Sequence, residues 1–455
     1  MMRLSEAAVA TQAQMIGADI EFCCVGTDSR AIKKGQLFVA LKGENFDGNH
    51  YAAQSLEAGA SAVLVSSGSN DSPALLVKDT RLALGKLAAH WRAKFDMPVV
   101  AITGSNGKTT VKEMLANILR AATHNEAGVL ATQGNLNNDI GLPLTMLELR
   151  NQHQYAVLEM GMNHSGELSY LTNLAKPNIA LVNNAGSAHI GELGSLDAIA
   201  KAKGEIFEGL ALGGTAVINA DDAYADLWKR LSSHYKQITF GIHADADVKA
   251  TYQLLPTGCV IDLNASAGSV EFTLPAPGLH NVYNALAAAS AALALNVSLS
   301  DIADGLSGFS GAKGRLQAKQ GFGGAKLIDD TYNANPMSMK AAIDVLKGVN
   351  GKRVFVMGDM AELGFDAPNM HADIGQYAKD TGVENFFALG TLTQSAVSAF
   401  GENAAHFESV DDLADALKKI MSPEVTVLVK GSRSMRMERV VNAIELTQKN
   451  NGGIH

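Results

Sequence analysis

Blocks of hydrophobic residues alternate with amphipathic segments through the middle of the chain. Four short apolar runs predict buried strands: Val99–Thr103, Tyr155–Glu159, Ile179–Asn183 and Ala216–Asn219. After the first run, apolar residues recur at positions 111, 114, 115, 118 and 119, which is a helical period. Strands alternating with helices predict a parallel sheet covered on both faces. Residues 236–274 are more β-rich and predict an antiparallel extension of that sheet, followed by a helix over Asn281–Leu295.

Similar patterns on either side predict two further units. In the first region, β-like runs flank an Ala-rich helical stretch: Gln36–Leu41, Ala62–Val65 and Ala74–Val77. In the last region, helical segments separate four predicted strands: Lys326–Asp330, Arg353–Gly358, Phe386–Gly390 and Val425–Lys430. This last unit resembles a dinucleotide-binding topology, although it has no G-x-G-x-x-G. Glycine-rich stretches at 307–314 and 321–324 flank the boundary between the middle and last regions of the chain, and they predict a hinge there.

The fold class predicted from these patterns is α/β with three domains. They are a small N-terminal unit over residues 1–95, a central parallel-sheet unit over 96–310, which the segment ITGSNGKTT at 102–110 makes P-loop ATPase-like, and a C-terminal Rossmann-like unit over 311–455. A length of 455 residues also favours several domains.

Composition narrows the classes of function. The formal net charge is −9 without a long basic run, which argues against nucleic acid and anionic membranes as partners. Three cysteines cannot form a disulfide framework, and we expect Cys23 and Cys24 to be buried thiols. Residues 1–21 do not resemble a signal peptide, and no apolar run reaches the roughly 18 residues of a membrane span. We therefore expect a cytoplasmic protein.

The segment ITGSNGKTT, over 102–110, joins the first central strand to its helix. Small residues there allow backbone N–H groups to point at phosphate oxygens, while a lysine reaches the β- and γ-phosphates and a threonine hydroxyl ligates Mg²⁺. The spacing is G-x-x-G-K-T, shorter than the usual G-x-x-x-x-G-K-[ST]. The predicted nucleotide ligands of the loop are Gly104, Ser105, Asn106, Gly107, Lys108, Thr109 and Thr110.

Three further residues are candidates for a metal centre. Glu159 ends a predicted strand, His189 follows another, and Lys203 lies in a predicted helix. Individually they could be a solvated strand end, a loop histidine and an exposed lysine. Together they fit Mg²⁺ beside ATP, which needs only one or two carboxylates besides phosphate and water.

In this context the chain resembles the Mur ligases, the amide-forming enzymes of peptidoglycan precursor assembly, over nearly its whole length. The resemblance implies that Glu159 and His189 hold two Mg²⁺ ions, together with Thr109, and that Lys203 is carbamylated. With Lys108, His189 and Lys203 are then the expected catalytic residues. The resemblance implies further nucleotide ligands: Asn281 and Asn284 in GLHNVYN, Arg315 in KGRLQ and Asp330 in IDDTYNANP.

The resemblance also implies two substrates, UDP-N-acetylmuramoyl-tripeptide and D-alanyl-D-alanine. The resemblance assigns UDP binding to the N-terminal segment TDSR…LFVALKG, although Asn49 stands where the family commonly has histidine. In TQGNLNNDIGLP, peptide or pyrophosphate binding competes with ordinary turn chemistry. Lys430 and Arg433, in KGSRSMRME, could hold the dipeptide's carboxylate or be surface charges. The predicted substrate ligands are Ser29, Arg30, Asp47, Gly48, Thr132, Asn135, Asn137, Asn138, Asn333, Asn335, Lys430 and Arg433.

The implied activity is ATP-dependent amide formation through an acyl phosphate, by a monomer. Two alternatives stay open. One is a ligase similar to folylpolyglutamate synthase, which has a similar ATP loop but lacks the N-terminal UDP-sugar unit. The other is an ATPase that drives a partner and needs no small acceptor substrate.

Overall fold

The structure, a computed structural model, describes residues 1–68, 73–186, 193–312 and 314–446. The strands of the N-terminal region are β1 (Met2–Arg3), β2 (Gln14–Ile16), β3 (Glu21–Phe22), β4 (Cys24–Gly26), β5 (Gln36–Val39), β6 (Ala62–Val65) and β7 (Ala74–Leu76). Its helices are α1 (Leu4–Thr11), α2 (Ala52–Glu57) and α3 (Thr80–Arg92). Five strands form one sheet in the order β2-β7-β6-β5-β4, while β1 pairs with β3.

The central sheet has nine strands among the described residues, in the order β16-β15-β14-β13-β12-β11-β8-β10-β9. These strands are β8 (Val99–Thr103), β9 (Val129–Ala131), β10 (Tyr155–Glu159), β11 (Ile179–Val182), β12 (Thr215–Asn219), β13 (Lys236–Gly241), β14 (Val248–Leu255), β15 (Gly258–Ala265) and β16 (Gly268–Leu274). Pairing is parallel from β9 to β14 and antiparallel from β14 to β16. The predicted antiparallel extension is therefore confirmed for residues 248–274, whereas β13, at the start of the predicted stretch, continues the parallel part of the sheet. The carboxyl ends of β8, β10 and β11 therefore meet at one edge, where α/β sheets bind ligands.

Helices cover both faces of the central sheet. One face carries α4 (Lys108–Thr123), α9 (Leu279–Ala294) and α10 (Leu299–Ser307), whose apolar residues form one buried cluster with the sheet. The other face carries α5 (Gly141–Met146), α6 (Glu167–Ala175), α7 (Leu196–Gly204) and α8 (Ala225–Leu231). On that second face the buried apolar residues continue without a break into the N-terminal region, so both regions share one hydrophobic core.

The C-terminal sheet has the order β17-β18-β22-β19-β20-β21. Its strands are β17 (Gln317–Gln320), β18 (Lys326–Asp330), β19 (Lys352–Gly358), β20 (Asn385–Leu389), β21 (Ala404–Phe407) and β22 (Val425–Lys430). All pairs are parallel except the edge pair β17–β18. Helices α11 (Pro336–Lys347), α12 (Ala367–Asp380) and α13 (Thr393–Phe400) cover one face, and α14 (Val410–Ile420) and α15 (Glu438–Ile444) cover the other. The predicted α/β class is confirmed.

Two predictions from the sequence are wrong. Residues 321–324 form the turn between the antiparallel strands β17 and β18, so this glycine-rich stretch lies inside one sheet and cannot be a hinge between units. Cys23 is exposed and Cys24 is half-buried, because the chain bends between β3 and β4 instead of continuing as one buried strand. Among the helices that the structure describes, none is long and apolar enough to cross a membrane.

Candidate nucleotide and metal site

The loop between β8 and α4 has a backbone shape that only glycine takes easily. Gly107 has φ +79°, and a Cβ atom there would lie 2.2 Å from Asn284 Oδ1 and 2.6 Å from Asn183 Nδ2. Any side chain would therefore push the loop away from both asparagines. Lys108 begins α4, and its Nζ donates to the Gly104 carbonyl at 2.6 Å. The predicted strand–loop–helix context of the motif is confirmed.

Asparagines from three parts of the chain hold this loop. Asn184 Oδ1 accepts from Asn106 N–H at 2.9 Å, and Asn183 Nδ2 donates to the Asn106 carbonyl and to Asn284 Oδ1, both at 3.0 Å. Asn335 of the C-terminal region donates its Nδ2 to Asn106 Oδ1 at 2.8 Å. Ser105 Oγ accepts from Gly186 N–H at 2.8 Å. The loop is thus fixed on the central sheet and touches the C-terminal region.

Some buried polar atoms around the loop have no protein partner among the described residues. They are Asn106 Nδ2, Asn183 Oδ1 and the Arg315 Nε. Buried polar groups are normally hydrogen-bonded, so such atoms mark a place where a polar ligand completes the set. A nucleotide with its phosphates supplies acceptors and donors of the required kind, so these residues fit ATP.

Glu159 lies at the centre of the predicted metal site. Its carboxylate is buried and accepts from the Thr109 hydroxyl at 2.9 Å and from Asn137 Nδ2 at 2.7 Å. Arg315 Nη2 in turn donates to Thr109 Oγ1 at 2.9 Å, and its guanidinium stacks 4.3 Å above the Tyr332 ring. Within the described part of the chain, no group of three or more His, Cys, Asp or Glu side chains is arranged to hold a metal ion. One carboxylate with a neighbouring hydroxyl suits Mg²⁺ bound largely through nucleotide phosphates.

Lys203 is buried in α7, which excludes the exposed lysine considered from sequence. Burial, and then the charge of Lys108, lower the pKa of Lys203 well below its usual range, while Asp222 opposes this. Burial also lowers the pKa of Lys108 and raises that of Asp222, which accepts from Ala185 N–H at 2.9 Å. His189 lies outside the described residues.

A cleft of about 780 Å³ extends from the loop between the central and C-terminal regions. Its lining includes Asn106, Asn281, Asn284, Arg315, Asp330 and Lys430. Lys430 Nζ donates to Asp330 Oδ2 at 2.7 Å and to the Asn333 carbonyl at 2.9 Å. Asp330 and Lys430, predicted for different ligands, therefore form one buried ion pair. Burial lowers the pKa of His280, in the same lining, to about 4.

The candidate UDP ligands lie in the N-terminal region, away from this cleft. The exposed Arg30 guanidinium donates to both carboxylate oxygens of Asp28 at 2.9 Å, and this pair lowers the pKa of Asp28 to about 2. Ser29 between them is half-buried. Asp47 caps a short helical turn by accepting from Asn49 N–H at 2.9 Å. Asn49 also accepts from Ser66 N–H at 2.9 Å, so the residue that departs from the family pattern joins two loops.

The other candidate substrate residues divide between the metal site and ordinary turns. Thr132 is buried, and its Oγ1 accepts from Glu159 N–H at 2.9 Å. Asn138 accepts from the N–H groups of Ile140 and Gly141, the turn chemistry considered from sequence, and Asn135 is exposed. In the C-terminal region, Asn335 caps α11, Asn333 accepts from Ala334 N–H, and exposed Arg433 pairs with Glu438. Gly48 follows Asp47, and a Cβ there would lie 2.6 Å from the Leu41 carbonyl oxygen.

Several residues of the site were not predicted. Asn183 and Asn184 follow β11, and Asn219 and Asp222 lie at the end of β12, all at the ligand-binding edge of the sheet. Asn219 Nδ2 donates to the Asn183 carbonyl at 3.0 Å. Polar residues directly after an apolar run were the available signal, since these ends meet at one edge in a parallel sheet.

Three segments match Mur ligase domains. Residues 21–92 match the domain described as "Mur ligase family, catalytic domain", 102–292 the "Mur ligase middle domain", and 314–433 the "Mur ligase, glutamate ligase domain". The chain is 44% identical over 437 residues to the UDP-N-acetylmuramoyl-tripeptide–D-alanyl-D-alanine ligase of Escherichia coli K12, which covers 95% of this chain and 96% of that protein.

Solved structures agree with the sequence comparison. A crystal structure of MurF from Acinetobacter baumannii matches with a TM-score of 0.89 at 39% identity, covering 96% of this chain and 97% of that one. The MurF ligase of Thermotoga maritima in complex with ADP matches with a TM-score of 0.81 at 27% identity, covering 92% and 96%.

Proposed function

Because the chain belongs to the Mur ligase family and is an ATP-dependent ligase, we propose that it adds D-alanyl-D-alanine to UDP-N-acetylmuramoyl-tripeptide. The product is the UDP-linked pentapeptide for peptidoglycan synthesis. The observation that carries the chemistry is the contact of Thr109, in the phosphate loop, with the buried Glu159 carboxylate. The full-length likeness to ligases of this name supports the choice of substrates.

In this proposal the central region, 96–310, binds ATP with Mg²⁺. Loop N–H groups at the start of α4 receive the phosphates, and Lys108 turns from the Gly104 carbonyl to the terminal phosphates. Thr109, Glu159, His189 and the modified Lys203 would together hold the two Mg²⁺ ions. Bound Mg²⁺ neutralises charge that develops on the transferred phosphoryl group. Arg315, already on Thr109, adds a positive charge at the same place.

The proposed carbamate on Lys203 has physical support in the surroundings of this side chain. CO₂ adds only to a neutral amine, and burial together with Lys108 disfavours the charged form of Lys203. The carbamate would convert this amine into an anionic oxygen ligand, at a site where Glu159 and Asp222 are the carboxylates identified among the described residues.

The flanking regions supply the substrates. Residues 1–95, with Ser29, Arg30, Asp47 and Gly48, bind the UDP end of the tripeptide substrate, and 311–455 bring the dipeptide. The tripeptide's terminal carboxylate attacks the γ-phosphate and expels ADP, giving an acyl phosphate. The amine of D-alanyl-D-alanine then attacks that carbonyl and expels phosphate. The proposed enzyme works as a cytoplasmic monomer and excludes water from the acyl phosphate by closing the cleft.

Phosphate release with pairs of substrates tests this proposal. We expect release only when UDP-N-acetylmuramoyl-tripeptide and D-alanyl-D-alanine are both present. Release with a folate and glutamate would instead support the folylpolyglutamate synthase alternative, and release without an acceptor would support the ATPase alternative. Lys108→Ala should abolish turnover, whereas Lys418→Ala at a half-buried position on α14 should keep it. Normal turnover of Lys108→Ala would exclude the loop from the mechanism.

A further inference from the structure

Lys112 is a charged residue that the proposed mechanism does not use, yet it is enclosed in the protein. It lies on α4, one turn after Lys108, with 1% of its side chain exposed. Its Nζ donates to the Thr132 carbonyl and lies 2.7 Å from the half-exposed Glu113 carboxylate. Lysine is rarely buried, because removing an ammonium from water is costly unless oxygen atoms replace the water. This location therefore needs an explanation.

The contacts of Lys112 complete a ring of hydrogen bonds around the candidate metal carboxylate. Thr109 Oγ1 donates to Glu159 Oε2 at 2.9 Å, and Glu159 N–H donates to Thr132 Oγ1 at 2.9 Å. Lys112 then ties Thr132 back to the helix that carries Thr109. Both strand ends that bear these groups, β9 and β10, are thereby fixed on α4.

Without Lys112, no hydrogen bond of this ring would join Thr132 to α4. Strand β9 has only three residues and is the edge of the sheet, paired on one side with β10. After β9, Thr132 keeps one backbone bond to that neighbour, from its N–H to the Val157 carbonyl at 3.0 Å. On the outer side of the segment that contacts the Glu159 backbone, the Thr132 carbonyl accepts a hydrogen bond from a lysine of the phosphate-loop helix.

We infer that Lys112 is a positioning residue that sets the Glu159 carboxylate for Mg²⁺ by anchoring Thr132 to the phosphate-loop helix. This inference rests on the proposed function, because it takes Glu159 as a ligand of nucleotide-bound Mg²⁺. Groups that orient a metal ligand through a hydrogen bond change metal affinity by about 10–100-fold when they are removed. Lys112→Met keeps the length of the side chain and removes its ammonium group.

Calorimetric titration of ADP over a series of Mg²⁺ concentrations, and in EDTA, tests the inference without turnover. For Lys112→Met we expect an unchanged Kd for ADP in EDTA. The Mg²⁺ concentration that gives half of the metal-dependent gain in affinity should rise about 10–100-fold. Thr132→Val removes the next link and should give the same shift, and the double variant should add little. Thr132→Ser keeps the hydroxyl and should behave as the wild type.

The outcomes separate this inference from the proposed function. If Lys112→Met lowers Tm but keeps the wild-type Mg²⁺ dependence, Lys112 only supports the fold and the inference is overturned. If Lys112→Met does not fold, Thr132→Val decides, and an unchanged Mg²⁺ dependence there overturns the inference equally. Glu159→Gln is the reference. If this variant keeps the full Mg²⁺ effect, the metal role of Glu159 fails, and with it this part of the proposed function.

Discussion

The buried ion pair between Asp330 and Lys430 allows a quantitative prediction. The side chains are 11% and 5% exposed, and their 2.7 Å contact joins neighbouring strands β18 and β22. Asp330→Asn removes the negative charge and leaves the buried Lys430 ammonium, among the described residues, with neutral oxygen acceptors, the substituted amide and the Asn333 carbonyl. Removing one member of a buried pair costs about 3–5 kcal/mol, because the other charge stays buried without compensation. Lys430→Met leaves a buried carboxylate and should cost a similar amount.

The double variant Asp330→Asn/Lys430→Met removes both charges and should lose no more than either single variant. A chain with several cores need not unfold in one step, so local stability should be measured by hydrogen exchange of the β18 and β22 amides. The exposed pair Arg433–Glu438 provides a control, since Arg433→Gln should cost about 0–1 kcal/mol. Losses that simply add in the double variant would show that the two charges are not coupled and would refute the reasoning.

Two further predictions concern the cleft and its loop. Gly107→Ala should abolish ADP binding measured by calorimetry, because the methyl group would overlap Asn284 Oδ1 at a positive φ; wild-type affinity would contradict the loop geometry. His280 should make stability depend on pH, because its pKa is about 4 when folded and about 6.5 when unfolded. The unfolded chain then binds the extra proton first, so stability present above pH 6.5 should fall towards pH 4. Urea unfolding of His280→Gln should show a weaker decline, and an identical decline would assign it to other groups.

The sequence predicted those elements best whose residues are buried on both sides. Five of the predicted strands, among them Val99–Thr103 and Val425–Lys430, agree with the structure at both ends. The short edge strands β9, β17 and β21 were not predicted. They have three or four residues, and a strand that pairs on one side needs neither length nor a continuous apolar run.

Within the candidate site, predictions succeeded where one local motif brings the chemistry. The loop at 104–110 is contiguous, and its shape follows from glycine and the start of a helix. The asparagines that hold it come from positions near 183, 284 and 335, and only the folded topology brings them together. The role of Lys430 was equally hidden, because the sequence does not reveal that β22 lies beside β18.

The shared hydrophobic core has a consequence for how the molecule divides its motion. Buried apolar side chains run continuously from Met2 to Trp228, whereas the clusters of the C-terminal region begin at Ala325. Separating the N-terminal region from the central region would expose the apolar surface that they share, at a cost in free energy of roughly 25 cal/mol per Å². Displacing the C-terminal region exchanges bonds such as Asn335–Asn106 and Arg315–Thr109 for bonds to water, which changes the free energy little. The N-terminal and central regions therefore move as one body, and the C-terminal region is the part that separates from it at the lower cost in free energy.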